Sequence, residues 1–365
     1  MIEVKEVKLS LLDQFKLQLS MPPFEKKVGL FRLLAMTQNA WLGIKESLKA
    51  ILKSESHPSM RRIVEKLLEN INQWISFSAA MKEFPFFFTN QEVALVKSAE
   101  IMGNLPQVLN SIADELENSQ KLKKKIKGAM TYPVMVLIFA LLAVVILLIK
   151  VIPTIVNMFP SEGQLPSITV FMLTLSDFIK EWWWMLVLIG VLVPIVYKVL
   201  YEGVLPFKIV IDRLLLRAPV IGELNKTYNL YKFSRMLGDF YNAGVSPVVA
   251  IDYMIDTFDN YFYREKLKTI KHDLNIWLTF TESMEGSWLF SPVLVQIISV
   301  WEETGNFGEV LIKMANFYRE DIETKLEALM KLIEPLMMAF IAVIVGTIVA
   351  AVFLPLADLV GQIGQ

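Results

Sequence analysis

The chain has 365 residues, 54% of them hydrophobic and 20% charged, with a formal net charge of −1. A mean hydropathy of +0.47 is too apolar for an ordinary water-soluble domain, and the near-neutral charge gives no reason to expect nucleic acid or another polyanion as partner. The absence of cysteine excludes disulfides, thiolate zinc sites and a cysteine nucleophile, and two isolated histidines, His57 and His272, cannot make a histidine metal site within one chain.

Residues 1–23 mix both charge signs and hold no continuous apolar core, so no cleavable signal peptide is expected and the N-terminus should stay in the cytoplasm. Residues 24–130 are expected to form a cytoplasmic helical domain. Within it, Trp74 and Phe77 read as core aromatics, and Thr89 with Glu92 three residues on reads as a capping box opening a helix. The run Glu100-x-x-Gly103-Asn104 closes that helix with residues able to adopt the left-handed conformation. The next helix restarts at about Pro106, where a missing N–H costs nothing. Glu100 and Glu302 could coordinate a hard cation with nearby carboxylates such as Asp114 or Asp321, but such acids more often cap a helix or pair within a bundle, and no metal or cofactor is assigned. The long second helix carries Lys121, Lys123, Lys124, Lys125 and Lys127. This cationic run suits an anionic bilayer surface, at roughly 1 kcal/mol per cation, and is also a candidate contact for a partner protein.

A helix needs about 20 apolar residues to cross the hydrocarbon core, and three segments reach that length: residues 131–156, 182–201 and 333–360. Residues 157–181 fit a short external loop between the first two, with Trp182, Trp183 and Trp184 as an interfacial anchor. Cations flank the first span at Lys121–Lys127, the second at Lys198, Lys208, Arg213 and Arg217, and the third at Lys325 and Lys331, whereas residues 361–365 have none. That bias places the N-terminus inside and the C-terminus outside.

Residues 202–332 are expected to be a second cytoplasmic helical domain, because the first recurs there. Glu100, Gly103, Asn104, Val108, Leu109, Ala113, Lys123 and Pro133 return 202 residues later as Glu302, Gly305, Asn306, Val310, Leu311, Ala315, Lys325 and Pro335. Upstream, Asn72, Trp74, Phe77, Met81 and Phe87 return as Asn275, Trp277, Phe280, Met284 and Phe290, at an offset of 203. Trp277 and Phe280 are again read as core, and Ser291 as a helix N-cap beside the indel. Around Phe31 and Phe233 the register is not fixed by the sequence. In the third span, Ala342, Gly346 and Ala350 form a small-residue stripe that suits close helix packing, and Glu334 at its mouth could pair with a cation of a neighbouring helix.

These features resemble the type II secretion F / PilC family, the inner-membrane platform proteins of type IV pilus and type II secretion machines. The resemblance rests on Asp212-Arg213-Leu214-Leu215-Leu216-Arg217-Ala218-Pro219-Val220-Ile221-Gly222 after the second span and on Phe233-Ser234-Arg235-Met236-Leu237 leading into Asn242-Ala243-Gly244-Val245-Ser246-Pro247. It rests also on the duplicated Glu-x-x-Gly-Asn and on Tyr132-Pro133 with Glu334-Pro335. The first copy departs from the Ala-Gly-Val turn with Ala40-Trp41-Leu42-Gly43-Ile44, which leans toward the type IVb branch.

The resemblance implies an all-α membrane protein with three transmembrane helices and two homologous cytoplasmic bundles. It also implies a homo-oligomer of the bacterial inner membrane without catalytic activity. Its implied partners are a cytoplasmic assembly ATPase, a pilin or pseudopilin, and other inner-membrane components of the machine. Glu334, Ala342, Gly346 and Ala350 would then meet pilin or a second subunit, and Lys121 to Lys127 the ATPase or the membrane surface. No phosphate-binding glycine loop, His-Glu-x-x-His helix or Gly-x-Ser-x-Gly elbow occurs, so the energy source must be another protein. A small polytopic transporter is the competing reading, disfavoured because the spans offer only Thr347 as a buried polar group.

Overall fold

A computed structural model describes residues 21–363 except 152, 155–166, 220 and 305–306, and among these every regular element is helical. The first copy of the repeat comprises α1 (Phe24–Asn39), α2 (Ile44–Ser54), α3 (Pro58–Asn72), α4 (Phe77–Lys82), α5 (Asn90–Met102) and the long α6 (Leu105–Ile146), which ends in a π turn at Leu147–Val151. After α7 (Ser167–Gly203) and α8 (Leu205–Arg217), the second copy runs through α9 (Ile221–Asn242), α10 (Pro247–Thr257), α11 (Tyr261–Asn275), α12 (Phe280–Met284), α13 (Pro292–Thr304) and α14 (Phe307–Ile363). The chain divides into two compact units, Met1–Lys124 with Asp212–Glu323 and Lys125–Ile211 with Thr324–Gln365. Both copies of the helical bundle therefore belong to the first unit.

Helical periodicity builds the core of that unit. On α3, Met60, Ile63, Val64 and Leu67 fall at i, i+3, i+4 and i+7 and all are buried, as are Phe31 and Leu34 of α1 and Phe84 and Phe88 beyond α4. The second copy repeats the plan with Tyr263, Leu267 and Ile270 on α11 and Phe233, Leu237 and Phe240 on α9. Each such side chain contributes about 1.5–3 kcal/mol when fully buried.

The expectation for the tryptophans is overturned. Phe77 and Phe280 are buried, but Trp74 and Trp277 are 97% and 95% exposed. The reason is backbone geometry. Both sit just past a helix C-terminus in the left-handed region, at φ 64° and 67°, where the chain reverses and the side chain leaves the helix on the outer side.

In the second unit, Leu148, Met172 and Ala351 form a small buried cluster joining the π turn, α7 and α14. The Ser176 hydroxyl donates to the Leu148 carbonyl (2.8 Å) and the Thr169 hydroxyl to the Ala351 carbonyl (2.9 Å), so both polar groups are satisfied away from water. The helices Leu105–Val151 and Phe307–Ala351 are each long and apolar enough to cross a membrane, as is Ser167–Met185 with Leu188–Gly203 if that pair, bent by 54°, counts as one span. The external loop expected over 157–181 is helical from Ser167, because Ile168, Met172, Leu173 and Leu175 pack on the Leu148 cluster; its earlier part lies outside the described residues. Within α7 the backbone also leaves helical geometry at Trp182 (φ −114°, ψ 16°), the first residue of the tryptophan cluster.

Candidate functional site

Two structural devices recur in both copies. Thr89 and Glu92 form the expected capping box, and Thr279 with Glu282 forms another at the start of α12. Glu92 also takes a 2.7 Å ion pair from buried Lys27. The duplicated glutamates are caps: Glu100 accepts from the Phe77 N–H (2.6 Å), the Ser78 N–H (3.2 Å) and the Ser78 hydroxyl. Glu302 accepts from the Phe280 N–H (2.6 Å), the Thr281 N–H (3.2 Å) and the Thr281 hydroxyl. A carboxylate at the N-terminus of a short helix satisfies orphan amides and opposes their partial positive charge. Gly103 closes α5 at φ 73°; Gly305 and Asn306 lie outside the described residues. The Ser291 hydroxyl accepts from the Leu294 N–H, as an N-cap should.

The turns also fix the register that the sequence leaves open. Ala40 and Leu42 donate to the Met36 and Thr37 carbonyls, and Ala243 and Val245 donate to the Asp239 and Phe240 carbonyls, an offset of 203 throughout. Trp41 (φ 62°) is therefore the counterpart of Gly244 (φ 74°), and Arg32 is the counterpart of Arg235.

Both arginines grip the same helix, α6. Arg32 binds Asn110 (3.1 Å), Asp114 (2.5 Å) and Glu117 (2.7 Å), acceptors spaced i, i+4 and i+7 along one face. Arg235 donates to the Ser111 carbonyl (3.0 Å) and hydroxyl (2.9 Å) and lies 3.5 Å from Glu115, one residue round the helix from the first set. On its own helix Arg235 binds Asp239 (2.9 Å), which takes the Ser111 hydroxyl, while the Tyr231 hydroxyl donates to Glu115 (2.6 Å). At the corresponding positions of α14 stand Ile312, Asn316 and Arg319 in place of the first set, and Lys313 and Phe317 in place of the second. Only α6 carries the acids.

The two grips differ electrostatically. Arg32 is partly exposed, and its hydrogen bonds hold Glu117 below the usual carboxylate range. The Arg235 cluster is buried, with two carboxylates facing one guanidinium. Burial pushes both Glu115 and Asp239 up, against the opposing pull of Arg235, and burial together with Glu115 pushes the Tyr231 hydroxyl up. A cavity of about 190 Å³ adjoins the cluster, lined in part by Glu92, Glu115, Tyr231, Lys232, Arg235 and Asp239.

Lys125 of α6 pairs with Glu327 of α14 at 2.9 Å, and the two positions are 202 residues apart, the spacing of the repeat itself. The Lys123 ammonium lies over the Phe24 ring (4.9 Å) and Lys124 reaches Glu25 (3.7 Å), so part of the basic run secures α1. Lys121 and Lys127 are exposed. Glu334 is exposed, as are Ala342 and Gly346, with Ala350 partly so. A β-carbon built on Gly346 would meet no atom within 4 Å. The small-residue stripe thus lies uncovered, while the neighbouring Ile348 and Ala351 are buried. The sequence reading gave Arg235 no role beyond its place in Phe233–Leu237 and missed Arg32, Asp239 and Glu115; for the two arginines the available signal was the upstream offset of 203 carried forty residues further, from Asn72 to Arg32.

A family model described as type II secretion system (T2SS), protein F matches residues 30–153 and again residues 233–355. The chain is 30% identical to the type IV pilus assembly protein PilC of Pseudomonas aeruginosa over 340 residues, 92% of this chain and 91% of that protein. It is 33% identical to PilC of Thermus thermophilus over 349 residues, covering 93% and 84%. Against the type II secretion system protein F of Vibrio cholerae it is 27% identical over 330 residues, covering 90% and 81%. A duplicated helical bundle joined to long apolar helices, matched twice by one family model, makes this chain a membrane protein of the type II secretion system protein F family, to which it belongs together with PilC.

Proposed function

We propose that the chain is the inner-membrane platform of a type IV pilus or type II secretion machine, without catalytic activity of its own. It couples a cytoplasmic assembly ATPase to the insertion or extraction of pilin helices in the bilayer. The observation that carries this reading is the double grip on α6. Equivalent arginines from the two copies hold one helix, and that helix runs on without a break into an apolar segment. A displacement of either copy would therefore be felt by the same membrane helix.

The N-terminus lies in the cytoplasm and the C-terminus in the periplasm in this reading, and the uncovered face at Ala342 and Gly346, with Glu334 at its mouth, is assigned to pilin or a second subunit. Trp41, Trp74 and Trp277, held in the left-handed region with their indoles in water, are assigned to the ATPase. A strained backbone kept by bulky residues argues for a role beyond the fold. Co-purification of the full chain with the ATPase and the pilin tests this reading. The expected result is a ternary complex, weakened when the three tryptophans are replaced by glycine. A chain that purifies alone, with filaments still assembled after its deletion, would refute it.

A further inference from the structure

Where α6 and α14 run together, an apolar groove of about 400 Å³ opens between them, lined by Lys125, Ile126, Ala129, Leu326, Glu327, Met330 and Lys331. Its floor is hydrocarbon, and Leu326 is buried there, so water has few partners in it. Its rim is charged: Lys125 and Glu327 pair across the two helices and Lys331 stands one turn beyond Glu327. Among the lining residues two ammonium groups stand with one carboxylate.

The depth of the groove matters as much as its chemistry. Ala129 and Lys331 lie four residues before Pro133 and Pro335, where the apolar runs begin. At about 1.5 Å per residue this is some 6 Å short of the hydrocarbon, within the headgroup layer of roughly 5–7 Å on each side of a bilayer. An occupant must therefore present an anion at headgroup level and an apolar tail to the floor. Basic pockets between membrane helices meet that description for acidic lipids.

We propose that the membrane-facing end of this groove binds one anionic phospholipid, its phosphate held by Lys331 and Lys125 and the start of its acyl chains laid on Ala129 and Met330 toward the hydrocarbon, with Ile126 and Leu326 closing the groove on the far side. The lipid would wedge the two repeat-related helices at their point of pairing, so that platform and bilayer composition are linked there. A second copy of this chain fits less well, since the groove is only about two turns long and lies below the uncovered small-residue face.

The test uses the full chain in mild detergent, titrated with phosphatidylglycerol or phosphatidylcholine and read by native mass spectrometry. Expected is at least one retained phosphatidylglycerol with a preference of tenfold or more over phosphatidylcholine. That preference should be lost in Lys125→Gln/Lys331→Gln but kept in Lys198→Gln/Lys208→Gln, which removes two membrane-flanking cations elsewhere. No preference in the parent chain, or equal loss in both variants, overturns the proposal in favour of diffuse surface charge. A photo-crosslinking residue at Met330, activated in native membranes of otherwise unaltered protein, names the occupant directly. An adduct of phospholipid mass supports the proposal. An adduct to residues 1–20, to a second copy or to another protein overturns it.

Discussion

Trp41, Trp74 and Trp277 share an unusual position: φ of 62°, 64° and 67° at helix C-termini, with 95–97% of each residue exposed. Left-handed backbone costs a side-chain-bearing residue on the order of 1 kcal/mol or more relative to glycine, and in the second copy the place of Trp41 is taken by Gly244. Trp41→Gly should therefore stabilise the protein by about 1 kcal/mol, an upward shift of roughly 2–4 °C in thermal midpoint for a unit of this size, followed by calorimetry of the full chain. A lowered midpoint would mean that the indole is held by packing and that no strain is stored. These residues also show where sequence reading stops. Trp74 and Trp277 were expected inside on hydrophobicity alone, because nothing in residue type reveals that the helix ends two residues earlier and throws the side chain outward. Phe77 and Phe280, three residues on and inside a helix, fell where expected.

On the scale of helices, α6 is held by two grips of opposite titration sign. Glu115 and Asp239 have raised values in the fold. Their contribution is complete below the unfolded carboxylate range, near pH 4, and declines as pH rises through their folded values. Glu117 is lowered, so the Arg32 grip is complete above that range and declines as pH falls through its folded value. Protection of α9 amides, corrected for intrinsic exchange, should then decrease as pH is raised from about 4, while that of α1 holds. Glu115→Gln should flatten the α9 trend, since it keeps an acceptor for Tyr231 and removes one of the two competing charges. A trend unchanged in that variant would locate the titration elsewhere. Arg235→Met should be costly once the carboxylates ionise, about 3–5 kcal/mol, because it then leaves buried charges without a partner.

Close packing sets a second constraint on α9. A β-carbon on Gly238 would lie 3.1 Å from the Gly308 carbonyl and 2.9 Å from the end of Ile312. Ile312 can turn aside but the carbonyl cannot. Gly238→Ala should therefore destabilise by about 1–3 kcal/mol, measured by denaturant unfolding, and a neutral result would show that α9 and α14 can part at little expense. The Thr89–Glu92 capping box, the Ser291 cap and the turn at Gly103 were legible beforehand, since each is a local pattern within a few residues, whereas the Thr279–Glu282 box went unread. The arginine grips were not. They depend on which faces of α1, α9 and α6 meet, and partner choice between distant helices leaves no local mark.

For the molecule as a whole, the repeat was legible because duplication writes the same pattern twice. The structure adds that the copies share one unit and that their long helices pair at repeat-equivalent positions, Lys125 with Glu327. What the sequence left unspecified is the asymmetry: Asn110, Ser111, Asp114, Glu115 and Glu117 have no acidic counterparts on α14, so one copy supplies the helix that both copies hold. The central claim is that two descendants of one bundle act together from the same side of a membrane on α6. Because the chain has no cysteine, Trp74→Cys and Trp277→Cys give single, fully exposed labelling sites in equivalent places. With a membrane-impermeant maleimide, neither should react in intact spheroplasts and both should react after lysis; reaction of just one of the two in intact spheroplasts would put the copies on opposite faces and contradict the claim.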